Sequence, residues 1–257
     1  MIDYEVRGNV ALITINRPEA RNAVNGQFAT EMEAAIDQME SDPAVWVGVI
    51  RAVTVGDRPV FCAGADLKEI NAGNGGALGT AKGGFGGIVY RERVKPMIVA
   101  VDGLATAGGC EIVLSVDMVV ATTRSSFGLA EVKRNLIAGA GGLFRLPQAI
   151  GKAAAMEAIL TGEPITAERA YALGLLTRLV EPGQAEAAAM EIAAKVVLAA
   201  PMAVQASRTV VLAAAYESEE SLKTMTNSAM GTIMSSEDLK EGLAAFIEKR
   251  APQWKGR

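Results

Sequence analysis

The chain has 257 residues, 50% hydrophobic and 21% charged, with a formal net charge of -4 at neutral pH. That length suits one large domain or two small ones with a real core, and the apolar content excludes a disordered chain. The acidic balance argues against a nucleic-acid partner. The absence of any histidine excludes Ser-His and Cys-His nucleophile pairs and His-ligated zinc, leaving acid–base work to carboxylates, lysines, tyrosines or cysteines.

The opening stretch, MIDYEVRGNVALITINRPE, has acids at positions 3 and 5 and no basic region ahead of an apolar one, so no signal peptide is expected. No uninterrupted apolar run reaches bilayer length. The two cysteines, Cys62 and Cys110, lack paired or metal-ligand spacing. A reduced, cytoplasmic protein without a bound metal or membrane contact is the expectation.

In chain order, NVALITINRP (Asn9–Pro18) reads as a β-branched strand stopped by a proline. NGQFATEMEAAIDQME follows as a helix with Asn25 as N-cap and Phe28, Met32, Ala35, Ile36 and Met39 on one face. Val45–Val53, Met97–Val101 and Met118–Ala121 read as buried strands. The order strand, helix, strand, loop, strand, helix, strand predicts an α/β protein with buried sheets. Between Asn71 and Gly87 lie eight glycines; the composition predicts a mobile stretch, either a flexible linker or a lid lining a site. From about Gly139 the texture turns helical, with only TRLV (Thr177–Val180) reading as a strand. Ser235, three residues before Asp238, suggests a capping box opening the last helix. These Ala-rich helices pack either within the chain or on another subunit.

Three segments carry chemical character. FCAGADLKE (Phe61–Glu69) is a strand end running into a turn that Asp66 can cap, with backbone N–H groups free to bind a negatively charged oxygen. ATAGGCEIVLS (Ala105–Ser115) places Gly108 and Gly109 at a helix start, where backbone can approach a ligand, and Glu111 alone among apolar residues. Glu111 is there either as a capping residue or as part of a site. SFGLAEVKRNLIAGAGG (Ser126–Gly142) isolates Glu131 ahead of a glycine-rich turn; it lacks the Gly-Lys of a phosphate loop. Glu131 reads as a surface residue beside Lys133 and Arg134, or as a second functional carboxylate.

Taken together with RPEARNAV near the start, LTGEPITAERAYALGLLTRLV and the closing AFIEKRAPQWKGR, these segments resemble the crotonase (enoyl-CoA hydratase/isomerase) family over essentially the whole chain. The resemblance implies a spiral of ββα units over residues 1–195 carrying the acyl-CoA site, and a helical trimerisation region over 196–257, assembled as a homotrimer or a dimer of trimers. It implies that the backbone N–H groups of Ala65 and Gly108 form an oxyanion hole for a thioester oxygen, and that Glu111 and Glu131 are the acid–base pair. Gly139 would frame the site, while Arg21, Ala23, Ala63, Asp66, Leu67 and Lys68 would line the CoA pocket. Phe246 and Lys249 would reach CoA from the last helix, which can be that of a neighbouring subunit. No cofactor is expected beyond the CoA carried by the substrate. Both glutamates together favour a hydro-lyase, a fatty-acid-type enoyl-CoA hydratase, with a carnitinyl-CoA dehydratase, another acyl-CoA lyase or isomerase of the family, or a catalytically silent CoA-ester binder as alternatives. Three residues depart from the family's common pattern. Ala107 stands where glycine usually precedes the Gly-Gly pair, and Asn135 and Ala138 stand where glycine and proline are frequent.

Overall fold

A computed structural model describes residues 1–257. Strands β1 (Ile2–Arg7) and β2 (Val10–Ile15) form an antiparallel hairpin, in register from Ile2 opposite Ile15 to Arg7 opposite Val10. Helix α1 (Gly26–Ser41) follows, and the Asn25 side chain accepts from Phe28 N at 2.9 Å, the cap its position predicts. Phe28, Met32, Ile36 and Met39 on its inner face are fully buried.

From there the chain repeats one device. Strand β3 (Val47–Ala52) is followed by the short β4 (Val60–Cys62) and helix α2 (Leu67–Asn71). After a small hairpin, β5 (Gly79–Thr80) and β6 (Gly84–Phe85), come strand β7 (Met97–Val101), the short β8 (Leu104–Thr106) and helix α3 (Gly108–Leu114). Next are strand β9 (Met118–Thr122), the short β10 (Ser126–Gly128) and a 3₁₀ turn over Glu131–Arg134. Each repeat lays its first strand into one sheet and its second into another. β3, β7 and β9 pair in parallel, and so do β4, β8 and β10. The result is the expected spiral of ββα units.

The chain continues through α4 (Gly142–Ile150), α5 (Lys152–Thr161), β11 (Ile165–Thr166), α6 (Ala167–Ala172), β12 (Arg178–Val180), α7 (Ala185–Val197), α8 (Pro201–Ala213), α9 (Glu219–Met234) and α10 (Glu237–Glu248). The six-stranded sheet has the order β1-β2-β3-β7-β9-β12 and the four-stranded sheet β11-β10-β8-β4. The larger sheet is covered on both faces. Ile13, Ile15, Ile50, Val99 and Val101 belong to the main core under α1. Their alternating neighbours Val10, Leu12, Val47, Val49, Ile98 and Ala100 pack with Ala185, Ala188, Ala189, Ile192 and Ala193 of α7. Burial on both faces is why these strands read as unbroken apolar runs.

Several expectations need correction. The glycine-rich stretch is no featureless linker: Gly79 pairs with Phe85 and Thr80 with Gly84, and Gly75, Leu78, Gly79 and Phe85 line the main cavity, as the site-lining alternative expects. Its glycines serve close approach, since a Cβ on Gly87, at φ +69°, would lie 2.1 Å from the Ala29 carbonyl oxygen. The cap of α10 is Ser236, which accepts from Leu239 N at 3.0 Å, whereas Ser235 ends α9. Asp238 does not complete a capping box; its buried carboxylate accepts from Lys255 N at 2.7 Å and Gly256 N at 2.8 Å, tying down the C-terminal tail. Strand β1 and helices α4 and α9 escaped the sequence reading. The first alternates about an exposed edge, the second contains Pro147, and the third buries no residue within the chain. No single helix is long and apolar enough to cross a membrane.

Candidate active site

The three segments singled out in the sequence begin on β4, β8 and β10 and run on past their C-terminal ends. Because those short strands are parallel neighbours, their C-terminal ends deliver the segments to one place. The first two touch: a Cβ on Gly64, which sits at φ +86°, would lie 3.0 Å from both the Ala107 Cβ and the Gly108 nitrogen. Gly109 packs still closer, since a Cβ there would lie 2.1 Å from the Cys62 carbonyl oxygen. No larger residue fits at these positions.

A cavity of about 840 Å³ opens where the segments meet. Its walls include Ala65, Gly108, Glu111, Glu131 and Gly139, together with Arg21, Ala23, Ala63, Asp66, Leu67 and Lys68. All of the expected site residues of the spiral are therefore assembled around one space. Phe246 and Lys249 are not. Phe246 lies 84% exposed on α10, and Lys249 ends that helix in a left-handed conformation. Neither lines the cavity of its own subunit, because α10 packs through Asp238 and Ala245.

The N–H groups of the two expected oxyanion donors are left free for a local reason. Val24 N donates to Gly64 O and Asp66 N to Val24 O, which leaves Ala65 N–H without an acceptor in the chain. Gly108 is the first residue of α3, so its N–H is one of the orphan donors that every helix start leaves. Both residues border the cavity.

Glu111 is 3% exposed. Its Oε1 accepts from Ala140 N at 2.7 Å and Gly142 N at 2.9 Å, so it is no cap of its own helix. Its Oε2 has no partner in the chain. Burial raises its proton affinity above the ordinary carboxylate range; the backbone donors at Gly142 and Ala140 and the charge of Arg145 oppose that shift, and Glu131 adds to it. Glu131 is half-buried, with Oε2 occluded and unpartnered. Burial raises its affinity too, against its own backbone N–H and the charge of Arg134. Repulsion between two carboxylates is mutual, so it acts on Glu131 as well as on Glu111. The thiols of Cys62 and Cys110 are buried and pushed up by desolvation, Cys62 to about 12, which makes them inert packing groups.

The entrance is cationic. Arg21, Lys68 and Arg134 line it, and Asp66, the acid among them, is neutralised by Arg17 at 2.8 Å. Asp66 also caps α2, accepting from Lys68 N at 3.0 Å. The loop bearing Arg21 and Ala23 is held by Asn22, which is wholly buried. Its Oδ1 accepts from Arg17 N, and its Nδ2 donates to the carbonyls of Val53 and Val60, each at 2.9 Å. Arg17, Asn22, Tyr90 and Arg145 were missed at the sequence level, since their importance comes from partners 31 to 56 residues away. Two departures from the family pattern have a backbone reading. Asn135 takes a left-handed φ of 56°, which Asn tolerates nearly as glycine does, and Ala107 has φ 51° and ψ -129°.

The family model for enoyl-CoA hydratase/isomerase matches residues 5–257. Among curated relatives, a probable enoyl-CoA hydratase from Rhizobium meliloti is 37% identical, covering 98% of this chain and 97% of its own. Among solved structures, an enoyl-CoA hydratase from Mycobacterium marinum superposes with a TM-score of 0.93 at 40% identity, over 100% of this chain and 99% of its own. A carnitinyl-CoA hydratase from Mycobacterium avium is 44% identical with a TM-score of 0.78, over 100% and 98%.

Proposed function

The chain belongs to the enoyl-CoA hydratase/isomerase family, and from that premise we propose that it is a hydro-lyase adding water across the 2,3-double bond of an enoyl-CoA thioester. The observation that carries this reading is the pairing of Glu111 and Glu131 in one cavity beside the free N–H groups of Ala65 and Gly108. A thioester oxygen held by those two donors lets negative charge move onto it as water attacks Cβ; a single such donor is typically worth about 10²–10³ in rate. One carboxylate takes the proton from the attacking water and the other carboxylic acid delivers a proton to Cα. Two carboxyl groups in one low-dielectric space resist ionising together, so one stays protonated beside an ionised partner. That arrangement serves a catalyst with no histidine and asks for no resident cofactor.

The cationic rim of Arg21, Lys68 and Arg134 suits the phosphates of CoA. Exposed apolar side chains on the C-terminal helices, Val211, Met230, Met234 and Ile247 among them, support burial against sister subunits as a homotrimer or a dimer of trimers. In such an assembly Phe246 and Lys249 reach a neighbour's CoA. A cytoplasmic enzyme acting on soluble thioesters completes the reading.

The carnitinyl-CoA hydratase of Mycobacterium avium, as identical to this chain as it is, keeps the acyl group as the second question. Turnover against a panel of enoyl-CoA thioesters that includes crotonyl-CoA and crotonobetainyl-CoA, followed by loss of the conjugated thioester's ultraviolet absorbance, tests both. Tight binding of every thioester with no turnover by any would instead favour a CoA-ester binder.

A further inference from the structure

Glu111 is held by a turn, and the turn is held by two side chains. The peptide unit joining Gly139 to Ala140 accepts a hydrogen bond from Tyr90 Oη at its carbonyl, 2.9 Å, and donates from its N–H to Glu111 at 2.7 Å. One residue on, the guanidinium of Arg145 reaches the Ala140 carbonyl at 3.4 Å and is anchored on the Val89 carbonyl at 2.6 Å. The same guanidinium lies 5.5 Å from the centre of the Tyr90 ring and 5.4 Å from that of Phe144. It also lies close against the turn: a Cβ on Gly141, at φ +107°, would lie 2.5 Å from Arg145 Nη1. Tyr90 and Arg145 thus grip the carbonyl side of a turn whose N–H side grips the carboxylate.

We infer that Tyr90 and Arg145 are positioning residues for Glu111, acting through the turn 139–142. The inference rests on the hydratase reading for its kinetic consequence only; the mechanical claim stands on the hydrogen bonds. Donation to a peptide carbonyl polarises the N–H of the same unit, so the Tyr90 hydroxyl strengthens the Ala140 bond to Glu111 as well as orienting it. Arg145 adds a positive charge that favours the ionised form of Glu111, against the opposing charge of Glu131. The charged groups facing Glu111 are these two, with the neutral thiol of Cys110 on its own helix. Loosening the turn lets the carboxylate wander from the Cβ–Cα axis of a bound enoyl group, a displacement that costs rate more than binding.

The test uses Tyr90→Phe, which deletes one hydroxyl, and Arg145→Lys and Arg145→Gln, read in two ways. Hydrogen–deuterium exchange of the peptide spanning 139–142 reports the turn without any need for turnover. The expectation is exchange about tenfold faster in Tyr90→Phe and faster again in Arg145→Gln, with global unfolding midpoints near wild type. For kinetics, kcat falls about 3- to 10-fold in Tyr90→Phe and about 10²-fold in Arg145→Gln, with KM nearly unchanged. The limb of the pH profile belonging to Glu111 moves to higher pH in Arg145→Gln and returns toward wild type in Arg145→Lys. Unchanged exchange, or a kcat loss with an unmoved pH profile, would overturn the inference. If wild type turns over no enoyl-CoA, the hydratase reading fails, while the exchange data still decide whether these residues hold the turn. Should Arg145→Gln fail to fold, Tyr90→Phe and Arg145→Lys decide alone.

Discussion

Ala107 invites a direct energetic test. At φ 51° and ψ -129° it holds a conformation that only glycine adopts without strain, and its Cβ sits 3.0 Å from where a methyl on Gly64 would be. Strain of this kind costs about 1–3 kcal/mol. Ala107→Gly removes it, while the freer unfolded chain takes back about 0.4–1 kcal/mol and the lost methyl contact at most about 0.8 kcal/mol. The balance predicts a gain of about 1 kcal/mol, which for a chain of this size raises the thermal midpoint by about 2–4 °C. The Ala107 carbonyl accepts from Cys110 N and Glu111 N, and its N–H donates to Gly128 O, all of which glycine keeps. Turnover should therefore stay near wild type. Urea and thermal unfolding of the two proteins side by side measure the difference. A variant that is destabilised by 1 kcal/mol or more would refute the strain argument.

Other outcomes follow from buried groups. Asn22→Ala strands three backbone groups in the interior and should lower stability by about 2–4 kcal/mol, read as a lower urea midpoint, with acyl-CoA affinity falling alongside. Glu111 has a folded-state proton affinity above its unfolded value, so its contribution is fully present below about pH 4 and is lost as pH rises through the raised value. Glu111→Gln should accordingly gain stability relative to wild type as pH rises from 4 to 7, seen in thermal midpoints across that range, even as activity collapses. Phe85 lies over Gly108, where a Cβ would meet its ring at 2.3 Å, and walls the cavity. Phe85→Ala should raise kcat/KM for bulkier enoyl-CoA thioesters relative to crotonyl-CoA, measured by direct competition.

Much of the architecture was legible because its causes are local. The apolar runs at Val45–Val53, Met97–Val101 and Met118–Ala121 become β3, β7 and β9, and Asn25 caps α1. The chemical segments share a topological reason: each runs off the end of a short strand, and those three strands pair in parallel. What escaped depends on distant partners or on the assembly. The glycines of 79–87 read as freedom but serve contact with the α1 backbone and the Tyr90 ring. Asp238 looked like half of a cap and instead binds the tail. Helix α9 carries no inward stripe, since it buries nothing within one chain. The grip of Tyr90 and Arg145 on the 139–142 turn has no sequence signature, because it runs through backbone carbonyls.

The most direct test of the two-carboxylate account is single-turnover hydration of enoyl-CoA thioesters by wild type, Glu111→Gln and Glu131→Gln, with thioester binding measured by calorimetry on the same preparations. The account predicts turnover by wild type and a loss of about 10²–10⁴-fold in each variant, with affinity changed only a few-fold. Wild-type rates in either variant would contradict it.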